Sequence, residues 1–190
     1  MNRLKIGFAL CGSFCTLERA VAQMELLAGM GHSLIPIFSD PVSRTDTRFG
    51  TAAYWREKVT VLCGRPPLTT LTEVEPIGPK DMTDLMVVAP CTGATLARLA
   101  AGESSTPVAL AVKSHLRRER PVLVAVSTND GLAASFPAVA ALKNRRHYYL
   151  LPMRQDDPVN KPNSLVADFS LLAAGVSSAA EGRQLLPLFL

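Results

Sequence analysis

Short apolar runs alternate with longer amphipathic stretches along almost the whole chain of 190 residues. Five runs have continuous apolar residues and are predicted as buried strands: residues 4–10, 33–38, 85–89, 122–126 and 147–151. Six stretches with helical periodicity are predicted as helices: residues 17–30, 52–62, 92–101, 108–118, 132–143 and 165–183. Strand and helix therefore alternate nearly throughout.

Continuous rather than alternating hydrophobicity indicates strands that are covered on both faces, as in a parallel sheet between two layers of helices. The pattern predicts a doubly wound, Rossmann-like three-layer α/β/α sandwich with a parallel sheet. No repeat or low-complexity linker interrupts it, so we expect one domain over residues 1–190. Two polar loops, residues 39–50 and 153–163, are long for a compact domain, and such loops are often functional.

The composition is apolar, with 48% hydrophobic and 19% charged residues. An apolar composition favours surface that is buried between copies, so we expect a homo-oligomer. No apolar run approaches the roughly 20 residues that cross a bilayer. The first residues lead directly into a strand-like run without the pattern of a secretory signal. These features predict a cytoplasmic protein without a membrane partner.

The charged and metal-binding residue types point to neither nucleic acid nor a metal. The net charge is only +4, and the basic run at 113–120 ends at Pro121, as is typical of a solvated helix end. Cys11 and Cys15 are not followed by a second pair at metal-ligand spacing. None of the three histidines follows a strand at its carboxyl end, so we expect structural roles for His32, His115 and His147.

Ligands of open parallel sheets bind beyond the carboxyl ends of the strands, so the residues just after each strand are candidates for a site. Gly12 and Ser13 follow the first strand, and Ser39 follows the second. Hydroxyls beside the amides of a helix N-terminus suit a phosphate, which predicts an anion site at Ser13 and Ser39. The first turn lacks the G-x-G-x-x-G pattern of a standard dinucleotide site.

Four cations in the two long loops are candidates for a carboxylate or phosphate: Arg44 and Arg48 in the first loop, Arg154 and Lys161 in the second. Arginine is planar and binds either anion through two hydrogen bonds. For the first loop, a solvated surface loop before a helix capped by Thr51 explains the composition equally well.

Residues 89–92, Ala-Pro-Cys-Thr, precede the run Thr-Leu-Ala-Arg-Leu-Ala-Ala-Gly at 95–102. Together they resemble the second flavin-contacting motif of the flavoprotein family, which includes flavin prenyltransferases and phosphopantothenoylcysteine decarboxylases. The resemblance implies that Pro90, Cys91 and Thr92 lie against FMN.

Four further segments make the resemblance more specific: residues 11–16, 45–50, 127–130 and 155–164. Over residues 4–172 the chain is similar to the B subunits of bacterial dipicolinate synthases. That similarity implies oxidation of a dihydro- or hydroxytetrahydrodipicolinate precursor in the mother cell of a sporulating bacterium. It implies an A subunit that resembles nicotinamide-dependent dehydrogenases. It also implies that Ser127, Thr128 and Asn129 lie beside the cofactor, and that the four loop cations bind a dicarboxylate.

The chain lacks the catalytic histidine that the decarboxylase branch of the family uses. Tyr54, Trp55 and Arg56 stand where that branch has this histidine, and Ser105 stands where it usually has an acid. A decarboxylase mechanism is therefore disfavoured. Two alternatives stay open: an FMN enzyme that acts alone, such as a flavin prenyltransferase, and a non-catalytic subunit that stabilises the dehydrogenase.

The edge rule for parallel sheets gives a geometric expectation. Gly12, Ser13, Ser39 and residues 90–92 should line one cleft. We expect the loop at 155–164 to close over this cleft or to meet a neighbouring subunit. A rigid connector before a helix capped by Asn163 or Ser164 is the alternative.

Overall fold

A seven-stranded sheet forms the centre of the protein, whose computed structural model describes residues 3–190. The strands are β1 (Lys5–Leu10), β2 (Ser33–Phe38), β3 (Leu85–Cys91), β4 (Val122–Thr128), β5 (Tyr148–Leu150), β6 (Met153–Arg154) and β7 (Leu165–Ala167). The first five are parallel, in the order β2-β1-β3-β4-β5. The last two are antiparallel: β7 pairs with the end of β4, and β6 pairs with β7.

Helices cover both faces of the sheet. They are α1 (Phe14–Gly29), α2 (Asp40–Arg44), α3 (Ala52–Cys63), α4 (Leu71–Val74), α5 (Gly93–Ala101), α6 (Pro107–Leu116), α7 (Phe136–Lys143) and α8 (Leu172–Ala180). Apolar residues of α1, α3 and α8 pack on one face, and those of α4 to α7 pack on the other. The result is a three-layer sandwich.

The central strand β3 shows why the apolar runs are continuous. Leu85, Val87 and Ala89 belong to the core on the face of α1, whereas Met86 and Val88 belong to the core on the opposite face. Successive side chains of a strand point to opposite faces, so a strand with two buried faces needs apolar residues at every position. Each large side chain that is fully buried contributes roughly 1.5–3 kcal/mol relative to an exposed one.

Helix boundaries follow local capping chemistry. Thr51, Thr92 and Thr106 each accept a hydrogen bond from a first-turn amide of the helix that they precede. Helices α3 and α5 end at Gly64 and Gly102, whose φ angles of 66° and 69° lie in the left-handed region that favours glycine.

The predicted fold class is confirmed, but two features of the prediction are wrong. The sheet is mixed rather than wholly parallel, because β7 runs antiparallel to its neighbours β4 and β6. The segment predicted as one helix over 165–183 begins as β7, and its helix starts only at Leu172. Pairing of Leu165 and Val166 with β4 overrides the helical periodicity of this segment. The first long loop also contains the short helix α2.

Within residues 3–190, no helix is both long and apolar enough to span a membrane.

His115 is buried near the end of α6. Its Nδ1 lies 2.7 Å from the Thr83 hydroxyl, and its Nε2 lies 3.0 Å from the carbonyl oxygen of Pro121. Burial lowers the pKa of the imidazole from its ordinary value of 6.5 to about 4, and the hydrogen bond to Pro121 opposes only part of this effect. The folded protein therefore holds this histidine neutral at pH 7.

We predict that His115 makes the protein less stable in mild acid. The unfolded chain binds the proton near pH 6.5 and the folded chain only near pH 4, so stability falls as the pH decreases between these values. Between pH 7 and pH 5 the loss is about 2 kcal/mol. Urea unfolding at both pH values measures it, and His115→Gln should reduce the difference by that amount. An equal pH dependence of stability in wild type and in His115→Gln would contradict the assignment of this loss to His115.

Candidate functional site

An open cleft of about 660 Å³ lies beyond the carboxyl ends of the parallel strands. Its floor comes from the turn after β1, from Thr92 after β3 and from the end of β4. Its walls come from the start of α1, from Arg48 and Phe49 before α3, and from the β6–β7 loop. The cleft thus lies where a doubly wound fold binds its ligands.

Three hydroxyl groups form a cluster on the floor of the cleft. The Ser13 hydroxyl lies 2.8 Å from that of Ser127, and Thr16 lies 3.0 Å from Ser13 and 3.2 Å from Ser127. This hydroxyl cluster (Ser13, Thr16 and Ser127) joins the first turn of α1 to the end of β4. Since each hydroxyl both donates and accepts, the cluster can reorient toward a polar ligand.

A second polar network fixes the loop after β4. Asp130 accepts hydrogen bonds from the hydroxyls of Thr128 and Ser135. The hydrogen bond from Thr128 is the main reason that the pKa of Asp130 lies below its usual value, and that from Ser135 comes next. Gly93, the first residue of α5, packs against this network, since a Cβ there would lie 2.6 Å from Ser135 Oγ and 2.8 Å from Thr128 Oγ1. The loop and α5 therefore fit together only with glycine at this position.

The β6–β7 loop, residues 155–164, carries Asp156 and Lys161 to the wall of the cleft. Asp156 accepts hydrogen bonds from Ser164 Oγ at 2.6 Å and from Lys161 Nζ at 3.2 Å. The Ser164 bond is the larger cause of the lowered pKa of Asp156. Gln155 Nε2 donates to the Pro162 carbonyl at 2.7 Å. The loop is therefore braced by its own side chains.

Ser39 lies beside the cleft rather than in its lining. Its amide donates to Leu10 at 3.0 Å, and its side chain is buried. Within residues 3–190 its Oγ has no hydrogen-bond partner. Helix α2, which follows Ser39, also packs on the turn after β1, since a Cβ at Gly12 would lie 3.0 Å from Pro41 Cβ. An unpaired buried hydroxyl costs free energy unless a ligand or water satisfies it.

Most of the residues predicted from the sequence line the cleft. They are Gly12, Ser13, Thr92, Ser127, Thr128 and Asn129, with Arg48 and Lys161 on the walls. Pro90 and Cys91 do not line it and are buried. The reason is that β3 continues to Cys91, which pairs with Val126 beyond a register shift.

Arg44 and Arg154 also lie outside the lining of the cleft. Arg44 points to solvent from α2 and pairs with Asp40 at 3.6 Å, one helical turn earlier. Arg154 pairs with Asp168 in an adjoining pocket.

Sequence reasoning did not single out six lining residues, Phe14, Cys15, Thr16, Arg19, Phe49 and Val166, whereas Asp156 lies in the 155–164 loop that was expected at the cleft. A signal existed for two of them. Ser13, Thr16 and Arg19 follow each other at three-residue steps, which places them along one side of a helix. Val166 could not be found in this way, because it reaches the cleft only through the pairing of β7 with β4.

Known proteins share this fold. The model of the family described as Flavoprotein matches residues 2–149. The chain belongs to the flavoprotein family. Burkholderia xenovorans DmrB, solved in complex with FMN and described as a cubic protein cage, shares the fold with 17% identity and a TM-score of 0.70 over 91% of this chain and 93% of that one.

Within the family, the chain is similar to the B subunit of dipicolinate synthase. It is 38% identical to that protein of Bacillus subtilis (strain 168) over 184 residues, which cover 97% of this chain and 92% of the relative. The crystal structure of the corresponding protein from Bacillus halodurans C has a TM-score of 0.91 and 35% identity, with 100% of this chain and 98% of that chain covered.

We predict that Gly93→Ala destabilises the protein by about 1–3 kcal/mol, because the added methyl group must displace the hydroxyls around Asp130. Thermal unfolding measures the loss, at roughly 2–4 °C per kcal/mol. Gly29→Ala is the matched control, since nothing lies within 4 Å of a Cβ at that helical position. It should be neutral or slightly stabilising. Equal unfolding temperatures for the two variants would show that the close contacts around Gly93 do not affect stability.

Proposed function

We propose that this chain is the B subunit of a dipicolinate synthase, and that it acts with an A subunit to remove hydrogen from a dihydro- or hydroxytetrahydrodipicolinate precursor. The observation that carries the proposal is the similarity to the B subunit of the Bacillus subtilis synthase over 97% of the chain. The cleft supports it, because Arg19, Arg48 and Lys161 in its lining suit a substrate with carboxylates. The proposed setting is the cytoplasm of a sporulating mother cell.

We propose FMN as the cofactor, because three features of the chain fit its phosphate and ring. The first amides of α1, those of Phe14 and Cys15, have no carbonyl acceptor earlier in the helix, and the buried Ser39 hydroxyl at the start of α2 lacks a partner within residues 3–190. Gly12 and Ser13, in the turn before α1, line the cleft. Thr92 and Ser127, which line the cleft, offer donors and acceptors to a flavin edge. Bound FMN would supply a two-electron acceptor for the oxidation.

Different residues of the chain would then bind the phosphate, contact the flavin ring and cover the substrate. Ser13 and Ser39 would hold the phosphate, with the α1 amides. Thr92 and residues 127–129 would contact the ring. The β6–β7 loop would cover the substrate and exclude water, since Asp156 and Lys161 already reach the wall of the cleft. The bracing within the loop would hold it in that position without a large ordering cost.

We further propose that the protein forms a homo-oligomer. A hydrophobic content of 48% favours apolar surface that a neighbouring copy covers. A relative of the same fold, the FMN-dependent Ubix-like decarboxylase of Escherichia coli O157:H7, is described as dodecameric.

We predict that Ser13→Ala combined with Ser39→Ala weakens FMN binding about 10-fold or more, because each hydroxyl would lose a hydrogen bond to a charged phosphate. Titration of the protein with FMN, followed by flavin fluorescence, measures the affinity. Ser43→Ala is the matched control, because its hydroxyl bonds the Asp40 carbonyl at 3.0 Å on the neighbouring helix turn. Unchanged affinity in the double variant would show that Ser13 and Ser39 do not bind the FMN phosphate.

For the reconstituted enzyme, we predict that Asp156→Asn and Lys161→Ala each lower dipicolinate formation about 10-fold, since both break the ion pair that braces the loop internally and remove a charge from the wall of the cleft. The assay mixes each variant with the A subunit and measures dipicolinate, with thermal stability in parallel. Asp157→Asn is the control, because the Asp157 carboxylate accepts hydrogen bonds from Asn160 at the loop tip and lies outside the cleft lining.

Two results would count against this account of the enzyme. Lower stability with normal dipicolinate formation would make the loop a structural connector. A wild-type chain that binds no FMN, but still raises the yield and stability of an active A subunit, would make the protein a non-catalytic stabilising subunit.

A further inference from the structure

Two arginines of the cleft have the same unusual setting. Arg19 projects from α1, and its guanidinium lies over the ring of Phe169 at 5.2 Å from the ring centre. Arg48, in the loop before α3, lies over Phe49 at 4.8 Å. A guanidinium that stacks on a ring keeps the N–H groups of its edge free, and these match both oxygens of a carboxylate. Each arginine is thus held in place without using its hydrogen-bond donors.

Neither arginine has a carboxylate partner within residues 3–190. The carboxylates that are close to these arginines in the sequence, or that lie in the cleft lining, bind other partners. Glu18 pairs with Lys58 and Asp168 with Arg154. Asp156 pairs with Lys161, and Asp46 accepts the Ala52 amide at 2.9 Å. The cleft therefore presents two cations that the protein itself does not neutralise.

The charged side chains that line the cleft have a net charge that a ligand with two negative charges would balance. The charged residues in its lining are Arg19, Arg48, Lys161 and Asp156, which leaves an excess of two positive charges. A ligand with two negative charges would neutralise this excess, whereas a single carboxylate would leave half of it.

We propose that Arg19 and Arg48 form a receptor for the two carboxylates of a dicarboxylate, one arginine for each carboxylate. The inference rests on the proposed function, because the similarity to a dipicolinate synthase supplies the planar 2,6-dicarboxylate as the ligand class. It gives Arg19 and Arg48 one carboxylate each, and neither arginine has a role in the phosphate or ring contacts described above. It also divides the cleft into two anion subsites, with phosphate at Ser13 and Ser39 and carboxylates at the two stacked arginines.

Calorimetric titration with dipicolinate and with picolinate, which has one carboxylate, tests this receptor. Wild type should bind dipicolinate at least about 10-fold more tightly than picolinate. Arg19→Gln and Arg48→Gln should each weaken dipicolinate binding at least about 10-fold and picolinate binding only about 2-fold, since the remaining arginine still takes the single carboxylate. Arg19→Lys should give an intermediate loss, because it keeps the charge but not the paired donors.

Arg44→Gln is the matched control, because Arg44 is exposed on the same loop as Arg48 but faces Asp40 and lies outside the cleft lining. It should leave both affinities unchanged. Flavin titration of the same variants distinguishes the two anions. If Arg19→Gln and Arg48→Gln weaken FMN binding and spare dipicolinate, the arginines serve the cofactor phosphate and the inference is wrong.

A reconstituted assay with the A subunit separates this inference from the proposed function. Normal dipicolinate formation by both Arg→Gln variants would overturn the receptor and leave the proposed function standing. No dipicolinate formation by wild type, with the selective binding of dicarboxylate intact, would overturn the proposed function and leave the receptor. Wild type that does not prefer dipicolinate to picolinate would overturn the receptor directly.

Discussion

The antiparallel pairing of β7 with the last two residues of β4 decides where the polar groups of this protein meet. Ser127 pairs with Val166, and Thr128 pairs with Leu165. The pairing holds the end of β4 in an extended form, from which the Ser127 hydroxyl reaches Ser13 on the turn before α1. It also anchors the β6–β7 loop, whose residues 156 and 161 lie at the cleft. Without this pairing, the floor and one wall of the cleft would separate.

Two kinds of polar group then share the cleft. On the floor, the hydroxyl cluster and the Asp130 network satisfy one another in the folded chain. On the walls, Arg19 and Arg48 are held by phenylalanine rings and keep their donors unpaired. A floor that is already ordered and a wall with uncompensated charge favour an anionic ligand, because little reorganisation precedes binding.

Much of the fold could be predicted because strands that are buried on both faces need continuous apolar residues. The edge rule correctly placed Gly12, Ser13 and Thr92 in one cleft, since it needs only the strand order and the strand ends, whereas residues 127–129 were expected there from the family resemblance. The rule failed at Ser39, which is buried beside the cleft, and at Pro90 and Cys91, because a register shift lets β3 continue past Ala89.

Contacts between distant segments could not be predicted. The segment Leu165–Ala167 carries no local signal that separates a short strand from the start of the following helix, and its pairing with β4 depends on tertiary structure. Arg44 and Arg48 are equivalent in the sequence, and only the formation of α2 turns one toward Asp40 and leaves the other at the cleft. The sequence places Arg19 on one side of a helix with Ser13 and Thr16, but no local signal reveals that the ring of Phe169 lies beneath its guanidinium.

The central claim is that one cleft holds the cofactor and the dicarboxylate at separate subsites. A crystal structure with FMN and dipicolinate both bound tests it most directly. The account predicts the phosphate at the Gly12–Ser13 turn beside Ser39, and the two carboxylates at Arg19 and Arg48. Dipicolinate in the groove lined by Lys113, Arg145 and Tyr148, or FMN phosphate on the two arginines, would contradict it.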